Sequence, residues 1–161
     1  MSSKQSVLVI DDEEVMQDAL GKVLQRVWYR SVSARTGREG LELLVAEGCV
    51  IDAILLDLML PGEDGLTVLK EILVQDPYAV VVVVTAFATY QAAVEATKLG
   101  AFGFIGKPFK HDELLLSLKN GMAKRNLELE NRQLKELLKQ RTSFPVPLSP
   151  TTRTVLRLGP T

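Results

Sequence analysis

Short apolar runs alternate with longer amphipathic stretches about five times along most of the chain. The apolar runs indicate buried strands, because they are brief and bounded by turn residues or by helical patterns. The five predicted strands are 6–10, 31–34, 51–56, 80–84 and 102–105. The fourth contains five consecutive valines, so we expect it to be buried on both faces, as in a parallel sheet covered by helices.

Apolar residues recur at helical spacing in the stretches that follow the strands. In the first predicted helix, 13–28, the apolar positions are Val15, Met16, Leu20, Val23, Leu24 and Val27. Thr36 to Glu39 resembles a capping box and opens the second helix. Residues 61–65 predict a loop before a third helix at 66–75. A fourth helix is expected at 89–99, with Gly100 at its C′ position, and a fifth from His111.

Five strands, each followed by a helix, predict an α/β fold with a five-stranded parallel sheet and right-handed crossovers. The expected arrangement is the doubly wound, flavodoxin-like order 2-1-3-4-5, with an extended C-terminal helix. In such a sheet the ligand site lies at the carboxyl ends of the strands, beside the switch in strand order.

The composition fits a globular chain, since 47% of the 161 residues are hydrophobic and 24% are charged. The net charge of −1 offers no basic excess, so we expect no direct nucleic-acid or membrane partner. Cys49 is the only cysteine, which excludes an intrachain disulfide and fits a reducing compartment. With no leader-like opening and no apolar run long enough to span a bilayer, we expect a cytoplasmic protein.

Polar residues stand at the end of four predicted strands. They are Asp11-Asp12 after the first strand, Asp57 after the third, Thr85 at the fourth and Lys107-Pro108 after the fifth. Because the carboxyl ends of parallel strands share one edge of the sheet, these side chains are expected to meet in one cleft.

Three neighbouring carboxylates raise one another's pKa unless a cation shares the site. A small hard dication with oxygen ligands fits best, and Mg²⁺ is the usual choice. Asp57 could then act as a carboxylate nucleophile toward phosphorus. The Lys107 ammonium and the Thr85 hydroxyl, together with Mg²⁺, would stabilise charge on the transferred phosphoryl oxygens.

The motifs VLVIDDEE, ILLDLMLPGEDGL, VVVVTA and FGFIGKPF, in this order and spacing, resemble the receiver domain of two-component response regulators over residues 5–122. This resemblance implies that Asp57 accepts a phosphoryl group from a phosphohistidine on a sensor histidine kinase. It also implies that Asp12, Asp57 and the backbone carbonyl of Met59 bind Mg²⁺, with Asp11 holding the metal directly or through water. Lys107 would bridge to Asp57 at rest, through a Lys107–Pro108 cis peptide.

The same resemblance makes Thr85 and Phe104 a switch pair. On phosphorylation the Thr85 hydroxyl would move toward the phosphoryl group, and Phe104 would fill the space that it leaves. Many relatives carry Tyr at the position of Phe104. Because Phe104 lacks the hydroxyl of Tyr, switching in this chain would depend on packing alone. The chain would be a signalling switch that catalyses only its own phosphorylation and dephosphorylation.

The segment TAFATYQAAVEATKLGAFGFIGKPF and the following helical stretch resemble the NtrC-type, σ54-dependent transcriptional activators. Those proteins continue into an ATPase domain and a helix-turn-helix. Neither a G-x-x-x-x-G-K-[ST] motif nor room for a helix-turn-helix exists in this sequence. The chain is therefore either a fragment of an activator or a short regulator.

The expected organisation is a receiver domain at 1–122, a helical linker at 123–141 and a tail at 142–161. The linker carries a d-a-d-a seam of two heptads formed by Leu127, Asn131, Leu134 and Leu138. This seam predicts a homodimeric coiled coil, or else a helix end that packs on the domain's own surface. The face formed by 89–99 and 102–105 is a second candidate dimer surface. The Pro-rich tail is read as disordered or as the end of a fragment.

Two other functions use a similar fold. A phosphatase of the haloacid-dehalogenase type also has a strand-end aspartate nucleophile, but it needs a second Asp where this chain has Met59. A flavin-binding module needs a phosphate-cradling first loop, whereas Asp11 to Glu14 would repel the flavin phosphate.

Overall fold

The computed structural model describes residues 4–143 and contains the expected strands and helices in the expected order. The elements are β1 (Ser6–Ile10), α1 (Glu14–Arg26), β2 (Arg30–Ala34), α2 (Gly37–Val45), β3 (Ala53–Leu56), β4 (Met59–Leu60), β5 (Glu63–Asp64), α3 (Gly65–Gln75), β6 (Val81–Thr85), α4 (Tyr90–Leu99), β7 (Gly103–Gly106) and α5 (His111–Ser143). The predicted tail falls almost wholly outside the described residues.

The main sheet has five parallel strands in the order β2-β1-β3-β6-β7. This is the predicted order 2-1-3-4-5, so the doubly wound, flavodoxin-like fold is confirmed. The strand order reverses between β1 and β3, which pair directly from Val7 with Ala53 to Ile10 with Leu56. That reversal places the ends of β1 and β3 side by side at the carboxyl edge. The chain divides into two units, one ending at Arg125 and the other beginning at Asn126.

Each face of the sheet carries its own hydrophobic cluster, because successive side chains of a strand point in opposite directions. On one face, Leu8 and Ile10 of β1 pack in a cluster with Leu69 and Ile72 of α3 and with Ala92 of α4. On the other face, the strand residues Val7, Val9, Val82 and Val84 form a cluster with Leu20, Leu24, Leu114 and Leu118 of α1 and α5. Every residue of β1 and β6 is buried, as the continuous apolar runs predicted.

The helix ends follow their local sequence. The side chains of Thr36, Asp64 and Thr89 cap α2, α3 and α4 by accepting hydrogen bonds from backbone amides of the first turn. Only half of the expected capping box forms, because the Glu39 carboxylate accepts from the amide of Arg35 at 2.6 Å and not from that of Thr36. Gly100 ends α4 in the left-handed conformation, as expected of a C′ glycine.

Two details differ from the sequence predictions. The expected loop at 61–65 includes a small antiparallel hairpin in which Met59 pairs with Asp64 and Leu60 with Glu63. Helical spacing predicts Val15 on the apolar face of the first helix, but its side chain is 81% exposed. It lies in the first turn of α1, one residue before Met16, which packs against the core.

Trp28 occupies a backbone conformation that usually belongs to glycine. The amide of Trp28 donates to Gln25 O and that of Tyr29 donates to Leu24 O, which together form a Schellman motif after α1. In this motif the C′ residue is left-handed, and Trp28 has a φ of 68°. Its side chain is 74% exposed, and the Lys4 ammonium lies 5.5 Å from its ring centre.

Within residues 4–143, no helix combines the length and the apolar character that crossing a bilayer requires.

We predict opposite effects for two Gly→Ala substitutions in helices. A Cβ at Gly65 would overlap Leu58 Cα and lie 2.6 Å from its carbonyl oxygen, and the backbone there cannot easily move. Gly65→Ala should therefore lower the free energy of unfolding by about 1–3 kcal/mol. At Gly21 the nearest atom, Ser31 Oγ, would be at 3.4 Å, so Gly21→Ala should raise that free energy by about 0.5–1 kcal/mol. Urea unfolding gives the free energy of unfolding of both variants. If both substitutions changed it by the same amount, the packing described for Gly65 would be contradicted.

Candidate functional site

The ends of four parallel strands bring the predicted polar residues to one edge of the sheet. Asp11 follows β1, Asp57 follows β3, Thr85 ends β6 and Lys107 follows β7. Asp11, Asp57 and Thr85 are buried, although each carries a polar side chain. Buried polar and charged groups are costly unless they are paired, so their partners decide what the site can do.

The carboxylates of Asp11, Asp12 and Asp57 form a tight acidic cluster. Each offers an oxygen, and these oxygens lie within 4.8 Å of one another. At about 4 Å, two like charges repel by roughly 4 kcal/mol at the effective dielectric constant of a protein surface. The sheet therefore holds together groups that would separate if their strands were free.

The Lys107 ammonium compensates part of this charge. Its Nζ donates to Asp11 Oδ2 at 2.8 Å and to Asp57 Oδ2 at 3.0 Å. It also contacts Glu13 Oε1 at 3.4 Å, although the Glu13 side chain is largely exposed. Only 8% of the Lys107 side chain is accessible, so the two short ion pairs are shielded from water. One ammonium cannot neutralise three carboxylates, and the cluster keeps a net negative charge.

The pKa shifts of Asp11 and Lys107 reflect this balance. Burial raises the pKa of the Asp11 carboxyl above its ordinary value of 3.8, although hydrogen bonds from Lys107 and from the Glu13 amide oppose the shift. Burial alone would lower the pKa of the Lys107 ammonium. Its hydrogen bonds to Asp11 and Asp57 outweigh that effect and raise the pKa above 10.5. The lysine is thus held as a cation, while the charged form of Asp11 is disfavoured.

The remaining oxygens of the cluster suit a hard cation. The amide of Met59 donates to Asp57 Oδ1 at 3.0 Å, which orients that carboxylate, while the Met59 side chain points outward and is 58% exposed. Among residues 4–143, no protein donor contacts the carboxylate of half-buried Asp12. An all-oxygen donor set with excess negative charge and a carboxylate without a protein partner fits Mg²⁺.

Thr85 and Phe104 lie on the same face of the sheet. Val83 pairs with Phe104 across β6 and β7, and Thr85 follows two residues after Val83, so both side chains share the orientation of Val83. The Thr85 hydroxyl accepts a hydrogen bond from the Phe87 amide at 3.1 Å. Phe104 is partly buried against the cluster of that face. The structure therefore places the expected switch pair on one side of neighbouring strands.

Sequence reasoning missed two residues that contact this site. In the sequence Glu13 is only one residue of an acidic run, yet in the structure it is a third partner of Lys107. No sequence pattern distinguishes Gln17 from other polar residues of the first helix, although its side-chain amide donates to Asp11 O at 2.7 Å and to Ala34 O at 3.0 Å. No short-range sequence signal reveals such contacts, because they depend on where the neighbouring strand ends.

The predicted seam residues of the linker are exposed in the single chain. Leu127, Leu134 and Leu138 are each more than half exposed, and Asn131 is also exposed. Leu137, outside the predicted seam, is exposed to a similar degree. Within this part of α5, Leu127, Leu134, Leu137 and Leu138 thus point into solvent, whereas Leu129 is partly buried.

Comparison with known proteins identifies the family. The family model described as the response regulator receiver domain matches residues 7–119. The C4-dicarboxylate transport transcriptional regulatory protein DctD of Rhizobium meliloti is 35% identical over 135 residues, which are 84% of this chain and 29% of DctD. The chain thus spans less than a third of the length of this relative.

Solved structures show the same architecture. The NtrX structure from Brucella abortus has a TM-score of 0.73 and 30% identity, covering 81% of this chain and 29% of NtrX. A receiver domain from Clostridium thermocellum has a TM-score of 0.72 and 27% identity, covering 76% of this chain and 98% of that domain.

The chain belongs to the receiver-domain family of two-component response regulators. Its likeness to DctD and NtrX confirms the expected relation to the receivers of transcriptional regulators. The haloacid-dehalogenase and flavin-binding alternatives receive no support from these comparisons.

We predict that Lys107 stabilises the metal-free fold. Lys107→Met would leave two buried carboxylates without their cation, so the free energy of unfolding in EDTA should fall by about 2–4 kcal/mol. Lys110→Met is the matched control, because Lys110 is exposed and lies three residues away; it should change stability by no more than about 0.5 kcal/mol. Chemical unfolding of both variants tests this. Equal stability of the two would mean that the ion pairs of Lys107 contribute little.

Proposed function

We propose that the chain is a phosphorylation switch in which Asp57 accepts a phosphoryl group from a phosphohistidine of a sensor histidine kinase. The acidic cluster of Asp11, Asp12 and Asp57 around Lys107, in a chain of the receiver family, is the observation that carries this proposal. A carboxylate oxygen of Asp57 would form the new P–O bond while the P–N bond to histidine breaks, and the histidine nitrogen retains the electron pair.

The metal in this proposal is Mg²⁺, held by Asp12, Asp57 and the backbone carbonyl of Met59, with Asp11 bound directly or through water. When bound, Mg²⁺ would neutralise charge on the transferring phosphoryl oxygens and reduce the repulsion within the cluster. The net negative charge that Lys107 leaves uncompensated supports this assignment.

Lys107 and Thr85 supply the other contacts to the phosphoryl group. Lys107 already lies 3.0 Å from Asp57, so its ammonium can follow the charge from the carboxylate to the phosphoryl oxygens. The Thr85 hydroxyl would exchange its hydrogen bond from the Phe87 amide for one that it donates to a phosphoryl oxygen. Phe104, on the same face, would then move into the vacated space and change the surface near α4.

The output of this switch is proposed to be homodimerisation and transcription regulation. The exposed leucines at 127, 134 and 138 support a paired linker helix, because a seam of this kind buries its apolar side chains only against a second helix. The face of α4 and β7 is a second candidate surface. The proposal places the chain in the cytoplasm and as the regulatory part of a transcriptional activator, with no nucleic-acid contact of its own.

Acetyl phosphate provides a direct test of the phosphoacceptor. Incubation with acetyl phosphate and Mg²⁺ should add the mass of one phosphoryl group, and EDTA should prevent the addition. Asp57→Asn removes the nucleophile and should abolish labelling. Asp18→Asn, at an exposed position of α1, is the matched control and should label like the unchanged chain. Labelling of the Asp57→Asn variant would show that the phosphoacceptor has been assigned wrongly. Intact-mass spectrometry gives the readout.

The linker seam can be tested by sedimentation velocity over a range of concentrations. Replacing Leu134 and Leu138 together with Gln should weaken the dimer by at least about tenfold, since burying a leucine contributes roughly 1.5–3 kcal/mol. Leu137→Gln is the control, because Leu137 is similarly exposed but lies outside the seam. The proposed register would be ruled out if the Leu137 change weakened the dimer as much as the double change, or if neither change weakened it.

A further inference from the structure

We infer that Gln17 is a positioning residue for the metal site, an inference that rests on the proposed function. Its side-chain amide donates to two carbonyl oxygens, Asp11 O at 2.7 Å and Ala34 O at 3.0 Å. Gln17 lies in the first part of α1 and reaches back across the helix start to the ends of β1 and β2. It would act on the metal ligands through the backbone, without touching the ion.

The bond to Asp11 O fixes the orientation of one particular peptide group. The carbonyl of Asp11 belongs to the peptide that joins Asp11 to Asp12, and a peptide group is planar. Holding that oxygen therefore orients the peptide that ends at the Asp12 Cα, the atom from which the Asp12 side chain departs. Because the Asp12 carboxylate receives no hydrogen bond within residues 4–143, its position depends on this backbone.

Gln17 completes a full set of partners around Asp11. The Asp11 amide donates to Ala34 O at 3.1 Å, and its carboxylate accepts from Lys107 and from the Glu13 amide. Its carbonyl oxygen is held by Gln17. Every polar atom of Asp11 thus has a defined partner, and among residues 4–143 only Gln17 supplies the one at the carbonyl.

The second bond of Gln17 connects this loop to the rest of the sheet. Ala34 O accepts from both the Asp11 amide and the Gln17 side chain, so both hydrogen bonds anchor the loop after β1 to the end of β2. This matters because α1 begins without a side chain of its N-cap residue to hold the loop. Its N-cap, Glu13, makes no side-chain capping hydrogen bond.

A neutral amide suits this position for a chemical reason. A glutamine carries two N–H donors on one nitrogen and can serve two carbonyl oxygens without adding charge. A glutamate would place acceptors against those oxygens and add to the negative cluster. A lysine would compete electrostatically with the bound cation.

The test compares Gln17→Met with Gln25→Met in the full chain. Methionine is similar in length and removes both donors, while Gln25 lies on the same helix at an exposed position. The readouts are the Mg²⁺ dissociation constant from isothermal titration calorimetry and the rate of phosphoryl uptake from acetyl phosphate as a function of Mg²⁺ concentration. Gln17→Met should raise the half-saturating Mg²⁺ concentration about tenfold, as expected when a residue supporting a metal ligand is lost. Its rate at saturating Mg²⁺ should stay within about twofold of the unchanged chain.

The maximum rate and the half-saturating Mg²⁺ concentration together distinguish a positioning role from simple destabilisation of the fold. A reduced folded fraction would lower the maximum rate, whereas misplacement of Asp12 shifts the Mg²⁺ requirement. If Gln17→Met fails to fold, Gln17→Asn replaces it, since the shorter side chain cannot reach both carbonyls yet remains polar. Unchanged half-saturation in the folded Gln17 variant, with normal uptake by the unchanged chain, overturns the positioning role alone. Failure of the unchanged chain to take up phosphoryl groups overturns both the proposed function and this inference.

Discussion

The ammonium of Lys107 lies between the buried carboxylates of Asp11 and Asp57, and these three residues follow three different strands. Their contacts join positions 96 and 50 residues apart in sequence, so they form only when β1, β3 and β7 are in register. Removing one partner of a buried ion pair is strongly destabilising, which ties the acidic cluster to the stability of the whole sheet. Yet the single cation leaves charge uncompensated. The uncompensated negative charge of this arrangement is what the proposed Mg²⁺ would neutralise.

Most of the fold could be predicted from the sequence, because it depends on patterns that are local. The continuous apolar run at 80–84 required a strand covered on both faces, and β6 is buried throughout. Regular alternation of strands and helices then left few possible topologies. The convergence of Asp11, Asp12, Asp57 and Lys107 followed from the same topology, since parallel strands end at a common edge.

The details that escaped prediction depend on contacts between distant segments. Gln17 looked like an ordinary polar residue of an amphipathic helix, and only the position of the β2 end gives its amide two acceptors. The exposure of Val15 depends on the rotation of α1 against the sheet, which helical spacing alone leaves open. Glu63 is a similar case: its carboxylate accepts from the amides of Gly37 and Arg38 at the start of α2, across 25 residues or more. Turn residues predicted the loop that contains Glu63 but not this long-range cap.

The position and exposure of Trp28 determine what its fluorescence can report. It is the chain's only tryptophan, and it precedes β2 at the amino end of the sheet, opposite the edge that carries the acidic cluster. Its indole is already largely in contact with water in the folded state. Indole emission therefore reports on the amino end of the sheet, and an indole signal of events at the acidic cluster would need a tryptophan introduced near the opposite edge.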